Sequence, residues 1–168
     1  MKQIISITGN SCIGKSTISK ILSESTGIPV FDIQYYYDQV DGSGYSRELK
    51  AWSLLEVSIK NSPFAILESS GLTGTESNIY KLFDSVLIVK LITSRTYELV
   101  QRYKEKLSRL EFPSETLQSG HMYDLIRMRA KMYIELPADL VFNVLESTSE
   151  SIAKAIEQNL NLQTPSNQ

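Results

Sequence analysis

Gly9-Asn10-Ser11-Cys12-Ile13-Gly14-Lys15-Ser16 is the stretch on which the reading of this chain turns. It has the spacing G-x4-G-K-[ST], follows the apolar run Gln3 to Thr8, and opens a segment with helical spacing, Lys15 to Ser25. Strand, glycine loop and helix in that order are what a phosphate-binding loop requires. Glycines let the backbone curl until successive N–H groups point inward, and the helix N-terminus adds positive partial charge. Lys15 supplies a mobile full charge for outer phosphates, and Ser16 offers its hydroxyl to Mg²⁺. The candidate nucleotide-binding residues are therefore Gly9, Asn10, Ser11, Cys12, Ile13, Gly14, Lys15, Ser16 and Thr17. Cys12 reads as a small filler, because nothing in the sequence supplies it with a partner base.

Working outward, four more short apolar runs read as buried strands: Ile28 to Phe31, Phe64 to Leu67, Val86 to Ile92 and Leu140 to Val144. Helical spacing separates them. Lys15 to Ser25 is closed by Thr26-Gly27, Arg47 to Lys60 ends before Pro63, and Arg95 to about Leu110 follows a possible N-cap at Ser94. A further helix is expected from about Ser119 to Glu135, stopped near Pro137, and a last one after Ser147, whose spacing to Glu150 is that of a capping box. Gly42-Ser43-Gly44 reads as a loop. Parallel neighbours need crossover helices, so this alternation predicts an α/β fold: three layers of the P-loop NTPase kind, about five parallel strands flanked by helices. Such sheets place chemistry at the carboxyl ends of their strands.

With 168 residues the chain is about one domain long. The expected organisation is one P-loop domain over 1–162, a lid segment around 102–129, and a frayed tail over 163–168. Composition is that of an ordinary globular protein, 42% hydrophobic and 21% charged, and 17 Lys+Arg against 19 Asp+Glu give a net charge of -2. That balance argues against a protein that coats nucleic acid or an anionic membrane. One cysteine and one histidine, His121, leave no zinc-like ligand set. The free thiol, the absence of a signal-peptide core and the absence of a membrane-length apolar run predict a cytoplasmic location.

Several segments together resemble the P-loop small-molecule kinase superfamily, which includes nucleoside and nucleoside monophosphate kinases and shikimate kinase. They are the loop, Val30-Phe31-Asp32, Ile66-Leu67-Glu68-Ser69-Ser70-Gly71 and the arginine-rich segment after the fourth strand, and the resemblance runs from about Lys2 to Val144. Asp32-Ile33-Gln34-Tyr35-Tyr36, and Leu67 to Leu72 followed by Leu82-Phe83-Asp84, resemble segments of uridine-kinase-like enzymes. Arg47-Glu48, and Arg129 with Tyr133 and Ala138-Asp139, are shikimate-kinase-like.

The resemblance implies an ATP- and Mg²⁺-dependent phosphotransferase acting on a small-molecule acceptor, with a nucleoside or nucleotide expected first. Asp32, at a strand end beside the loop, is expected to accept the proton of an acceptor hydroxyl or hold it in line. Glu68 is expected to bind a metal-bound water or the acceptor, so Ser16 and Glu68 are the candidate metal residues. Five of six arginines lie between Arg95 and Arg129, and Arg102, which resembles the family's lid-start arginine, and Arg129 are expected to neutralise charge on the phosphates, with Arg129 facing either the donor phosphate or the acceptor. Arg95, Lys104, Lys106 and Arg109 read instead as a solvated helix face pairing with Glu98 and Glu105. Arg47 is the candidate for an anionic group on the acceptor, and Tyr35 for stacking on a ring. Trp52 reads as core and His121 as a packing or surface residue. Three alternatives stay open at this level: a nucleotide-binding regulator or partner-binding module that transfers nothing, a shikimate-kinase-like kinase of another small hydroxy metabolite, and a 5′-hydroxyl nucleic-acid kinase, which the acidic balance disfavours.

Overall fold

The strand that carries the loop is the best-buried element of the protein. β1 (Gln3–Gly9) is buried at every position and lies in the middle of the sheet. The structure, a computed structural model, describes residues 1–109 and 120–163, with the side chains of 120–122 and 161–163 excepted. Four further strands, β2 (Val30–Asp32), β3 (Phe64–Ser69), β4 (Ser85–Ile92) and β5 (Leu140–Asn143), complete a sheet of order β2-β3-β1-β4-β5 in which every pairing is parallel.

Seven helices are described: α1 (Lys15–Thr26), α2 (Ile33–Asp38), α3 (Gly44–Ile59), α4 (Glu76–Tyr80), α5 (Thr96–Arg109), α6 (Gly120–Glu135) and α7 (Ser149–Gln163). Strand alternation divides the apolar residues between two faces. Ile5, Ile7, Ile66, Leu87, Val89 and Leu91 pack against α1, α5, α6 and α7. Ile4, Ala65 and Leu67 face the other way, onto Ile33, Ala51, Trp52, Leu55 and Ile79 of α2, α3 and α4. This is the three-layer α/β architecture the alternation predicts, and Trp52 is in the core at 4% exposure.

Strand and helix ends move by a few residues from their expected places. β2 begins at Val30 rather than Ile28, and α3 begins at Gly44, so the last residue of the expected Gly42-Ser43-Gly44 loop is helical. At the start of α5 it is Thr93, and not Ser94, whose hydroxyl accepts a backbone N–H, that of Arg95, at 3.1 Å. Thr148 rather than Ser147 caps α7, its hydroxyl accepting from Ser151 N–H at 3.2 Å. Gly27 closes α1 as expected, donating its N–H to the Ser23 carbonyl at 2.8 Å. The two short helices α2 and α4 were not anticipated. The middle of the expected lid, including Pro113, the last five residues of the chain and the side chain of His121 lie outside the described residues. No helix among the described residues is long and apolar enough to cross a membrane.

Candidate active site

The loop leaves β1 through Gly9, whose φ of 150° and whose surroundings both demand glycine. A Cβ there would stand 2.8 Å from the Leu91 carbonyl oxygen. Farther on, Cys12 holds a left-handed backbone, φ 60°, which a non-glycine residue adopts only at a cost of about 1–2 kcal/mol. Lys15 folds back over the loop and donates from Nζ to the Gly9 and Asn10 carbonyls, both at 2.9 Å. Burial pushes the Lys15 ammonium down to about 8, against the pull of Glu68 and Asp32, which favour its charge. The lysine is thus a half-buried cation held across the loop by two backbone carbonyls.

β3 delivers Glu68 to the same place. Alternation puts Glu68 on the face of Ile66, toward α1, and there its Oε2 accepts from the Ser16 hydroxyl at 2.8 Å. Glu68 is 4% exposed. Burial pushes its carboxyl up, the Ser16 hydrogen bond opposes this, and neighbouring Asp32 adds to the rise. The Ser19 hydroxyl, on α1, also favours the charged form of Glu68. Asp32 is the register partner of Glu68 across β2 and β3. Its Oδ1 accepts from Gln34 N–H at 2.9 Å and so caps α2, which means that the turn-capping role and the position beside Lys15 and Glu68 belong to one residue.

The late cations divide. Burial pushes the Cys12 thiol up, while Lys106, then Lys15 and Arg102, oppose this, so α5 brings Lys106 and Arg102 to the outside of the loop. One turn apart, they project from one helix face. The expected solvated face is there: Arg95 pairs with Glu98 at 3.1 Å, and Lys106, like Arg102 and Arg109, is exposed, with no salt bridge to Lys106 among the described residues. A cavity of about 380 Å³ borders this face, and its described lining is Arg102, Glu105, Lys106 and Arg109. Arg129, on α6, is half-buried beside Tyr133, whose hydroxyl burial pushes far above its usual range while Arg129 opposes the shift.

Asn10 ties loop to helix. Buried at 2% exposure, it donates from Nδ2 to the Ile126 carbonyl of α6 at 2.9 Å and accepts Ser11 N–H on Oδ1 at 2.9 Å. Lys90, a buried lysine on β4, donates to the Ile134 and Leu136 carbonyls and satisfies the C-terminus of the same helix.

Two residues expected at the acceptor, Tyr35 and Arg47, lie on α2 and α3. Tyr35 is 60% exposed, its described ring contact being an edge-on one to Tyr36 with centroids 5.3 Å apart. Arg47 donates from Nε and Nη2 to the Tyr37 carbonyl and from Nε to the Val40 carbonyl, at 2.8 to 3.2 Å, so it fastens the loop after α2. One residue was missed altogether. Glu76, at the start of α4, is 3% exposed and accepts from Gly71 N–H and from the Thr73 hydroxyl, both at 3.0 Å. A Thr-x-x-Glu spacing at Thr73 and Glu76 was the available signal.

Known proteins were compared against this arrangement. No family model matches the chain. A shikimate kinase of Dehalococcoides mccartyi is 26% identical over 171 aligned positions, covering 95% of this chain and 94% of that protein. Among solved structures, a shikimate kinase of Acinetobacter baumannii in complex with shikimate superposes with a TM-score of 0.66 at 16% identity, covering 98% of this chain and 96% of that one. A gluconokinase of Sinorhizobium meliloti superposes with a TM-score of 0.63 at 14% identity, covering 96% and 97%. The chain has the P-loop small-molecule kinase fold. Its likenesses carry shikimate-kinase features across nearly its whole length and support a phosphotransferase acting on a small molecule.

Proposed function

We propose that this protein is an ATP-dependent kinase that transfers the γ-phosphoryl group to a hydroxyl of a small acceptor. The observation that carries the reading is the convergence of Lys15, the Ser16–Glu68 pair and Asp32 at the carboxyl ends of β1, β2 and β3. Loop amides and Lys15 hold the donor phosphates. The second oxygen of Asp32, the one not engaged by Gln34, receives the acceptor hydroxyl and takes its proton as the oxygen–phosphorus bond forms. The bond from the γ-phosphorus to the bridging oxygen breaks, and ADP leaves with that oxygen. Arg102, Lys106 and Arg129 balance negative charge spread over the transferred group.

Mg²⁺ fits the donor set. Ser16 Oγ and Glu68 Oε2 lie 2.8 Å apart, and Mg²⁺ takes one or two protein oxygens, keeps waters and is completed by substrate phosphates. Ser16 Oγ and Glu68 would hold it. When bound, Mg²⁺ supplies charge neutralisation at the phosphate oxygens.

The test is ADP formation from ATP with and without a panel of small hydroxyl compounds. Acceptor-dependent turnover that falls at least about a hundredfold in Lys15→Ala and in Asp32→Asn is expected. Tight ATP binding with no turnover for any acceptor would show a regulator instead.

A further inference from the structure

Two groups on the acceptor side have the chemistry to hold an anion, and both are already engaged within the chain. The first is the end of β3, where Gly71 N–H and the Thr73 hydroxyl converge. Glu76 fills that position with a buried carboxylate, accepting from each at 3.0 Å. The second is Arg47, the side chain best shaped for a planar anion. Its Nε and Nη2 are spent on the Tyr37 and Val40 carbonyls.

The remaining charge on this side is negative. Glu48 accepts from the Thr75 hydroxyl at 3.4 Å, one residue from Glu76, and Asp32 stands at the neighbouring strand end. Glu76 has no ion-pair partner among the described residues, and its field reaches Tyr37, Tyr80 and Tyr133 around the acceptor side. Lys15, which feels Asp32, and Arg129, beside Tyr133, are among the cations assigned above to the phosphates. A carboxylate or phosphate on the acceptor would come under the charge of Asp32 and Glu48 and, from behind the Gly71 amide, of the buried Glu76, while Nε and Nη2 of Arg47 are held by carbonyls.

We propose that the acceptor is an uncharged hydroxyl compound, a sugar, polyol or nucleoside bearing neither carboxylate nor phosphate, and that Glu76 determines this preference. The proposal rests on the kinase reading, since it describes the acceptor subsite of that reaction. Excluding a rival by an unfavourable charge is an ordinary route to specificity. Glu76 acts through the Gly71 amide and the local field and touches no reacting atom, so it is a specificity-determining residue and not a catalytic one.

The experiment uses the full chain with ATP and Mg²⁺ and measures ADP release with matched acceptor pairs: glucose and gluconate, uridine and its 5′-monophosphate, shikimate methyl ester and shikimate. In every pair that turns over, the uncharged member is expected to have the higher kcat/KM by at least about tenfold. Glu76→Gln keeps the shape and an acceptor oxygen while removing the charge. It is expected to narrow that ratio by raising kcat/KM for the anionic member, with KM for ATP unchanged. Preference of the wild-type protein for the anionic members overturns the inference and leaves the kinase reading standing. Absence of ADP release with every member, while Lys15-dependent ATP binding persists, overturns both. The wild-type pairs decide the matter even where the variant fails to fold.

Discussion

Lys15 offers a prediction in which proton and nucleotide are counted together. In the ligand-free chain its ammonium is pushed from 10.5 down to about 8 by burial, a shift equivalent to about 3 kcal/mol against the charged form at roughly 1.4 kcal/mol per unit. A triphosphate seated in the loop places anions around Nζ and restores the charged form. Below pH 7 the lysine is charged in both states, and affinity for ATP is flat. Above pH 8 the free protein must first take up a proton, so the apparent Kd rises by a factor approaching ten for each further pH unit. Between pH 7 and pH 9 that amounts to about tenfold weaker binding, with roughly half a proton taken up per ATP at pH 8. Phosphate ionisation, with its second step near pH 6, contributes little there. Titration calorimetry of ATP with Mg²⁺ in two buffers of different ionisation enthalpy measures both quantities. A Kd that does not change from pH 7 to pH 9, with heat independent of buffer, would refute the placement of Lys15 as a half-buried, donor-holding cation.

Cys12→Gly removes a left-handed cysteine, and Cys12→Val puts a β-branched residue at the same φ of 60°; the glycine variant is expected to be the more stable of the two by at least about 1 kcal/mol in thermal unfolding, with ATP binding retained. Arg47→Met is expected to cost about 1–3 kcal/mol by freeing the Tyr37 and Val40 carbonyls, read as a lower Tm with Kd for ATP unchanged. Gly71→Ala brings a Cβ to 2.9 Å from Thr8 Cγ2 at φ 70°, and a loss of at least about 2 kcal/mol in denaturant unfolding is expected. Glu68→Gln is expected to weaken ATP binding in the presence of Mg²⁺ by more than it weakens it with the metal chelated, a difference that calorimetry measures directly.

The parts of this site that were legible in the sequence are those whose signal is contiguous. Eight consecutive residues carry the loop, and the run Phe64 to Leu67 ends on a glutamate whose parity with Ile66 already directs it to the helix after the loop. The parallel sheet and its layering followed from alternation, because buried parallel strands need continuous apolar runs and crossovers need helices; the order β2-β3-β1-β4-β5 did not, since which strands pair leaves no local signal. What escaped was short or depended on a fold neighbour. Six residues in α2 and five in α4 are too few to show a 3.6-residue period, and α2 exists because Asp32 caps it. Glu76 sits in Thr73-Gly74-Thr75-Glu76-Ser77-Asn78, a polar stretch that reads as solvent-facing until β3 brings Gly71 against it. Lys106 reads as surface on a helix wheel and is exposed, and what the wheel alone does not show is that its charge reaches Cys12 of the loop. Arg47 has the chemistry of an anion binder, and local carbonyls claim it first.

The two apolar layers keep separate company. Lys15 and Ser16 begin a helix packed on one side of the sheet, whereas Arg47 and Glu76 ride on helices anchored by Ala51, Trp52, Leu55 and Ile79 on the other. A lineage can therefore remodel the wall that chooses the recipient, exchanging residues of α2, α3 and α4, while the grip on the donor stays mechanically insulated behind β1. Divergence in this architecture is cheap on one flank and costly on the other.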